Sequence, residues 1–125
     1  MEKKILVIDD DSMVTRAIGN LLKNANYSTT ASQDGYDALD KIISETDFNL
    51  IVCDIRLPGI NGVETVKKIK ERLRALNKPD VPVIFITGYV DEEINVEAQK
   101  IGKLIYKPFD NRDFLEIIKE HIEEK

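Results

Sequence analysis

The sequence predicts a doubly wound α/β fold, in which helices cover both faces of a parallel sheet. Three observations carry this: short apolar runs rich in β-branched residues, helical stripes between them, and unbroken alternation of the two. The runs are Ile5-Leu6-Val7-Ile8, Leu50-Ile51-Val52-Cys53 and Val83-Ile84-Phe85-Ile86. Their hydrophobicity is continuous instead of alternating, as expected of strands buried on both sides.

The first strand runs into Asp9-Asp10-Asp11, and Asp11 or Ser12 can cap the helix that follows. That helix carries Val14, Ile18, Leu21, Leu22 and Ala25 at helical spacing. A weaker strand is expected from Tyr27 to Ala31, then a helix bearing Ala38, Leu39, Ile42 and Ile43. The third strand reaches Asp54 and precedes a stripe of Val63, Val66, Ile69 and Leu73. The fourth reaches Thr87, with a helix expected from Glu92 to Ile101. A strand at Lys103 to Tyr106 leads into Lys107-Pro108 and a last helix bearing Phe114, Leu115, Ile118 and Ile122. This βαβαβαβαβα order demands right-handed crossovers between parallel strands, and five strands suit the flavodoxin-like order 2-1-3-4-5. No linker, repeat or low-complexity tract divides residues 1–125, which are read as one domain with no output domain.

Composition removes several classes of function. A chain of 125 residues can bury roughly two thirds of its unfolded surface, enough to fold without disulfides or structural metals. A single cysteine forbids an internal bridge, and Cys53 with His121 cannot furnish a four-ligand zinc site. A formal charge of −5 argues against a nucleic-acid partner. The densest basic stretch, Lys67, Lys68, Lys70, Arg72 and Arg74, interleaves with Val66, Ile69 and Leu73 as the solvated face of a helix. Apolar runs of four residues neither span a bilayer nor form a signal-peptide core, so no membrane insertion is expected and cytoplasmic residence is the default.

In open α/β sheets, ligands bind beyond the carboxyl ends of the strands where the winding reverses, here between the first and third. That edge would gather Asp9, Asp10, Asp11, Asp54, Thr87 and Lys107. Carboxylates this close repel unless something positive sits among them. Strand-end aspartates suit Mg²⁺, Lys107 supplies a fixed positive charge, and Thr87 supplies a hydroxyl. Such a set around a carboxylate can stabilise a transferring phosphoryl group. Taken singly, each residue has a plainer reading as a cap or strand end, but the joint placement points to phosphoryl chemistry on an aspartate.

The residues also carry a resemblance. Ile5 to Asp11, Asp54-Ile55-Arg56-Leu57-Pro58-Gly59-Ile60-Asn61-Gly62, Phe85-Ile86-Thr87-Gly88 and Lys107-Pro108-Phe109 resemble the response-regulator receiver domains of two-component signalling, over the whole chain. The order and spacing fit: 44 residues from Asp10 to Asp54, 33 to Thr87 and 20 to Lys107. The resemblance implies a stand-alone receiver in which Asp54 accepts a phosphoryl group from a phosphohistidine of a sensor kinase or phosphotransfer protein. It implies Mg²⁺ bound directly by Asp10, Asp54 and the backbone carbonyl of Arg56, with Asp9 acting mainly through water. Thr87 would bond a phosphoryl oxygen and Lys107 would pair with the carboxylate and then the phosphoryl, with the bond before Pro108 cis. The surface of the fourth helix, fifth strand and fifth helix would switch toward a downstream protein target, with the domain a monomer or a phosphorylation-dependent dimer. The domain would be no enzyme beyond its own Mg²⁺-dependent phosphorylation and dephosphorylation.

One position departs from the pattern. Leu104 stands where the resemblance implies an aromatic switch residue, and Tyr106 is expected to pack against the last helix. Arg56 and Tyr89 flank the site, either shielding the acyl phosphate and recognising a partner or lying on the surface without a kinetic role. Cys53 is expected to face the core, and His121 to sit near a surface edge without a nucleophile. Two other functions compete. Asp9-Asp10-Asp11 contains the Asp-x-Asp of a haloacid-dehalogenase-like phosphatase, with Asp9 as nucleophile and Asp11 as acid/base. A pseudo-receiver would bind partners without phosphorylation.

Overall fold

The computed structural model describes residues 2–45, 47–90 and 92–123, so the expected domain limits at 1 and 125 lie outside the described residues. Strands β1 (Lys3–Ile8), β2 (Tyr27–Ser32), β3 (Leu50–Asp54), β4 (Val83–Thr87) and β5 (Lys103–Tyr106) alternate with helices. These are α1 (Ser12–Asn24), α2 (Gly35–Ser44), α3 (Gly62–Ala75), α4 (Glu93–Ile101) and α5 (Asn111–Glu123). The sheet is parallel in the order β2-β1-β3-β4-β5, as the alternation predicts. The flavodoxin-like winding reverses between β1 and β3, which pair directly from Ile5↔Leu50 to Ile8↔Cys53.

All five residues of β3 and all five of β4 are buried, which is why their apolar runs do not alternate. Successive side chains leave the sheet on opposite faces. Ile51, Cys53, Val83 and Phe85 join α2, α3 and α4 in one core, with Ala38, Val66 and Ile69 fully buried there. Leu50, Val52, Ile84 and Ile86 join α1 and α5 in the other, around Leu22, Phe114 and Ile118. Truncating Phe85 or Phe114 to alanine would cost about 3–5 kcal/mol.

The helical stripes fall as expected with one exception: Ile43 is 47% exposed, so α2 buries Ala38, Leu39 and Ile42 without it. The helix starts are chemically defined. Asp11 caps α1 by accepting from Met13 N, and Asn61 and Glu64 form a reciprocal capping box on α3. Helix α3 starts tight against the end of β3: Gly62 N–H donates to Ile55 O at 2.8 Å, and a Cβ on Gly62 would fall 2.1 Å from Asp54 O. Only glycine permits that approach, and it locks the loop after Asp54 to the strand end.

Candidate functional site

Four strand ends converge on one edge. Asp9 continues β1, its N–H donating to Ser32 O at 3.0 Å, and it is fully buried. Asp54 is the last residue of β3 and 6% exposed, and the next N–H donates to Ile86 O, holding β3 to β4 at this edge. Thr87 ends β4 and is 1% exposed. Its carbonyl accepts from Lys107 N at 2.7 Å, so the chain leaving β5 is anchored beside it. The Lys107–Pro108 bond is cis, as the resemblance implies.

Carboxylate oxygens of Asp9, Asp10 and Asp54 lie within 4.8 Å of one another. Lys107 Nζ stands 3.1 Å from Asp9 Oδ2 and 3.4 Å from Asp54 Oδ2. Sequence reasoning paired the lysine with Asp54 alone; the structure shares it between the two buried aspartates. Asp9 Oδ1 also accepts from Asp11 N at 2.9 Å, and Asp54 Oδ1 from Arg56 N at 3.3 Å.

One ammonium against three carboxylates leaves this edge with about two surplus negative charges. The strain shows on Asp54, whose carboxyl is pushed up from 3.8 to about 6, chiefly by burial and next by the Asp9 charge. Lys107 and the Arg56 N–H offset part of this. For Lys107, burial would favour the neutral amine, but the Asp54 and Asp9 carboxylates outweigh it and raise its value above 10.5. All the candidate ligand atoms are oxygens, a donor set that fits a hard divalent cation of the Mg²⁺ type.

A second layer links the loops. Tyr89 N–H donates to Thr87 Oγ1 at 3.2 Å, and Tyr89 O accepts from Asn95 Nδ2 at 2.9 Å. The Arg56 guanidinium lies over the Tyr89 ring, 3.9 Å from its centroid, and also pairs with Glu92. Arg56 and Tyr89 therefore clasp each other across the site mouth, tying the loop after β3 to the loop after β4. Neither Asn95 nor Glu92 was singled out from sequence, because one polar residue within a helical stripe looks like solvent-facing surface. The Asn61/Glu64 capping box went unread too, although its Asn-x-x-Glu spacing is a signal the sequence carries.

The remaining expectations divide. Cys53 is buried on the α3 side, and burial, then the Asp54 and Asp9 charges, push its thiol well above the ordinary value, so it is an inert core residue. His121 Nδ1 lies 2.8 Å from Ile117 O within α5, with no nucleophile among its recorded partners. Leu104 packs beside α4, whereas Ile105 joins the α1 and α5 core. Strand alternation puts Tyr106 on the Leu104 face, where it is 41% exposed. The expectation that Tyr106 packs on the last helix is thus overturned, because α5 covers the opposite face.

Comparison with known proteins bears on what this edge is for. The response regulator receiver domain family matches residues 5–119. The chain is 39% identical over 108 residues to the transcriptional regulatory protein ZraR of Escherichia coli (strain K12), covering 85% of this chain and 23% of ZraR. It is 34% identical over 109 residues to the transcriptional regulatory protein FixJ of Bradyrhizobium diazoefficiens, covering 86% of this chain and 50% of FixJ. The chain thus spans a half or less of the length of these curated relatives. A CheY-like response regulator receiver domain protein from Methanospirillum hungatei JF-1 superposes with a TM-score of 0.87 at 32% identity, covering 99% of this chain and 96% of that one. The response regulator TrrA of Thermotoga maritima, solved in complex with Mg²⁺ and BeF, superposes at 0.82 with 25% identity, covering 95% of this chain and 98% of that one.

Proposed function

The chain belongs to the response regulator receiver domain family, the signalling module of two-component systems, and on that premise we propose that Asp54 is its phosphoacceptor. The observation that carries the proposal is the convergence of Asp9, Asp10 and Asp54 with Lys107 and a buried Thr87 at the β1/β3 switch point. An Asp54 carboxylate oxygen forms a bond to phosphorus while the P–N bond of a partner's phosphohistidine breaks, and the imidazole leaves with that bond's electron pair. The donor is a sensor histidine kinase or a histidine phosphotransfer protein.

Asp9, Asp10, Asp54 and the Arg56 carbonyl would hold Mg²⁺, which when bound offsets the charge of the acidic cluster and of the entering phosphoryl oxygens. Lys107 holds a fixed positive charge beside the nucleophile and reaches the phosphoryl group after transfer. Thr87 donates its hydroxyl hydrogen to a phosphoryl oxygen, since its Oγ1 already accepts from Tyr89 N–H. Phosphorylation adds charge and three strong acceptors, which draw Thr87 and its loop inward. The surface of α4, β5 and α5 would report this to a protein target, with Val96 and Tyr106 exposed there. Leu104 fills the strand position of the usual aromatic, so coupling would run through the loop after β4 without ring rotation.

Residues 1–125 would act as a receiver unit, as a monomer or phosphorylation-dependent dimer in the cytoplasm. No helix among the described residues is long and apolar enough to cross a membrane. The chain would turn over only its own phosphoryl group. A hydrolase using Asp9 finds no support, because the family match is to receiver domains and the Asp11 carboxylate that would serve as its acid/base is occupied in capping α1. A pseudo-receiver would not need the complete set.

Beryllofluoride binding tests the reading. With Mg²⁺ it should raise the melting temperature of the wild type and leave Asp54→Asn unchanged. Equal stabilisation of both proteins would refute the assignment.

A further inference from the structure

The loop after β4 has few anchors of its own. A side chain at Gly88 would meet nothing within 4 Å, and Tyr89 and Val90 are more than half exposed. Yet Thr87, at the base of this loop, must present its hydroxyl in one direction for the chemistry proposed above. What holds Tyr89 therefore matters to Thr87.

Tyr89 is held at three points. Its N–H donates to Thr87 Oγ1, its carbonyl accepts from Asn95 Nδ2, and its ring lies against Arg56. Of the partners outside the loop, Arg56 is exposed and its grip is shared with Glu92, whereas Asn95 is 4% exposed within the first turn of α4. Asn95 is also costly. Among the described residues its Oδ1 has no hydrogen-bond partner, and a buried amide with an unmet oxygen is less favourable than an apolar side chain of similar size. Packing alone would be served better by leucine. What asparagine supplies there and leucine does not is the N–H on Tyr89 O.

We propose that Asn95 is a positioning residue for phosphoryl transfer: by holding the Tyr89 carbonyl it fixes the residue whose N–H, on the preceding peptide, orients the Thr87 hydroxyl. The chain of contacts is Asn95 Nδ2 to Tyr89 O, then Tyr89 N–H to Thr87 Oγ1. A hydroxyl that accepts from Tyr89 N–H turns its own hydrogen elsewhere, free for the phosphoryl oxygen. With Asn95 removed, Tyr89 swings with the exposed loop and the Thr87 hydrogen loses its fixed direction. Misplacing a donor by a fraction of an ångström to an ångström lowers a transfer rate by roughly tenfold or more. Asn95 itself touches no reacting atom. The inference rests on Asp54 being the phosphoacceptor and Thr87 its hydroxyl donor.

The experiment measures phosphoryl uptake from acetyl phosphate with saturating Mg²⁺ in wild type, Asn95→Leu, Asn95→Ala, Thr87→Ala and the Thr87→Ala/Asn95→Leu double variant. Asn95→Leu should take up phosphoryl about tenfold more slowly, with Mg²⁺ affinity within twofold of wild type and an unfolding midpoint equal or higher. In the Thr87→Ala background the same substitution should change the rate by less than twofold, because its effect passes through the hydroxyl. A wild-type rate in Asn95→Leu overturns the inference, and so does a rate loss that multiplies with that of Thr87→Ala. Should Asn95→Ala fold poorly, Asn95→Leu, which keeps the volume, still decides. Failure of wild type to take up phosphoryl would overturn the proposed function itself, a separate outcome.

Discussion

Replacing Asp54 with asparagine should stabilise the resting protein at neutral pH and remove most of its acid dependence near pH 6. The isolated carboxyl ionises at 3.8 in the unfolded chain and at about 6 in the fold, raised first by burial and second by the Asp9 charge. The folded state therefore binds this proton more tightly than the unfolded state. Stability linked to that proton is fully present below 3.8 and is lost as pH rises through about 6. A displacement of this size corresponds to at most about 3 kcal/mol, and solvent at the open edge of the cluster reduces it to about 1–2 kcal/mol. Asparagine mimics the neutral form at every pH, so the variant should be more stable by that amount at pH 7.5 in EDTA and equal to wild type below pH 4. For a domain of this length the gain is an increase of about 4–8 °C in melting temperature. Urea titrations followed by far-ultraviolet circular dichroism at several pH values measure it. A variant no more stable than wild type at pH 7.5, or a gap that does not close in acid, would refute the reasoning. Adding Mg²⁺ should narrow the gap from the other side, because only the wild type keeps the complete carboxylate set.

Three further outcomes follow from the same geometry. Lys107→Met leaves the fully buried Asp9 without its ion-pair partner and should cost about 1–3 kcal/mol in urea titrations at pH 7.5. The raised Lys107 value means that the stability it supplies is present below 10.5 and lost as pH rises through the folded value, so the deficit should shrink in strong alkali. Gly62→Ala places a Cβ against the Asp54 carbonyl, where only backbone movement relieves the contact; a loss of about 1–3 kcal/mol in denaturation and a slower phosphoryl uptake should accompany it. Arg56→Ala releases both the Tyr89 ring and Glu92, and dephosphorylation followed over time should be faster because the site mouth opens to water; an unchanged rate makes the clasp a surface contact only.

Much of the fold was legible because its central strands are buried on both faces. Leu50 to Cys53 and Val83 to Ile86 stand out as unbroken apolar runs for that reason, whereas β2 and β5 lie at sheet edges, carry exposed residues and signal weakly. Helical stripes report periodicity and not how wide the buried face is, so Ile43 fits the stripe of α2 yet lies in solvent. Tyr106 shows a related gap: alternation told that it shares a face with Leu104, but which helix covers that face depends on the winding of the whole sheet. At the site, the residue types at four strand ends were readable because doubly wound sheets place ligands there. The sharing of Lys107 between Asp9 and Asp54 was not, since it depends on sub-ångström differences in side-chain reach. Asn95 was invisible for another reason: its role lies in one bond to a main-chain carbonyl six residues away, which no spacing rule encodes.

The central claim is that Asp54 accepts the phosphoryl group. It is tested most directly by incubating the protein with acetyl phosphate and Mg²⁺, trapping the acyl phosphate by borohydride reduction, and mapping the modified residue by peptide mass spectrometry. One modification per chain at Asp54, absent without Mg²⁺, is the predicted result. Modification at Asp9, or none at any aspartate, would contradict it.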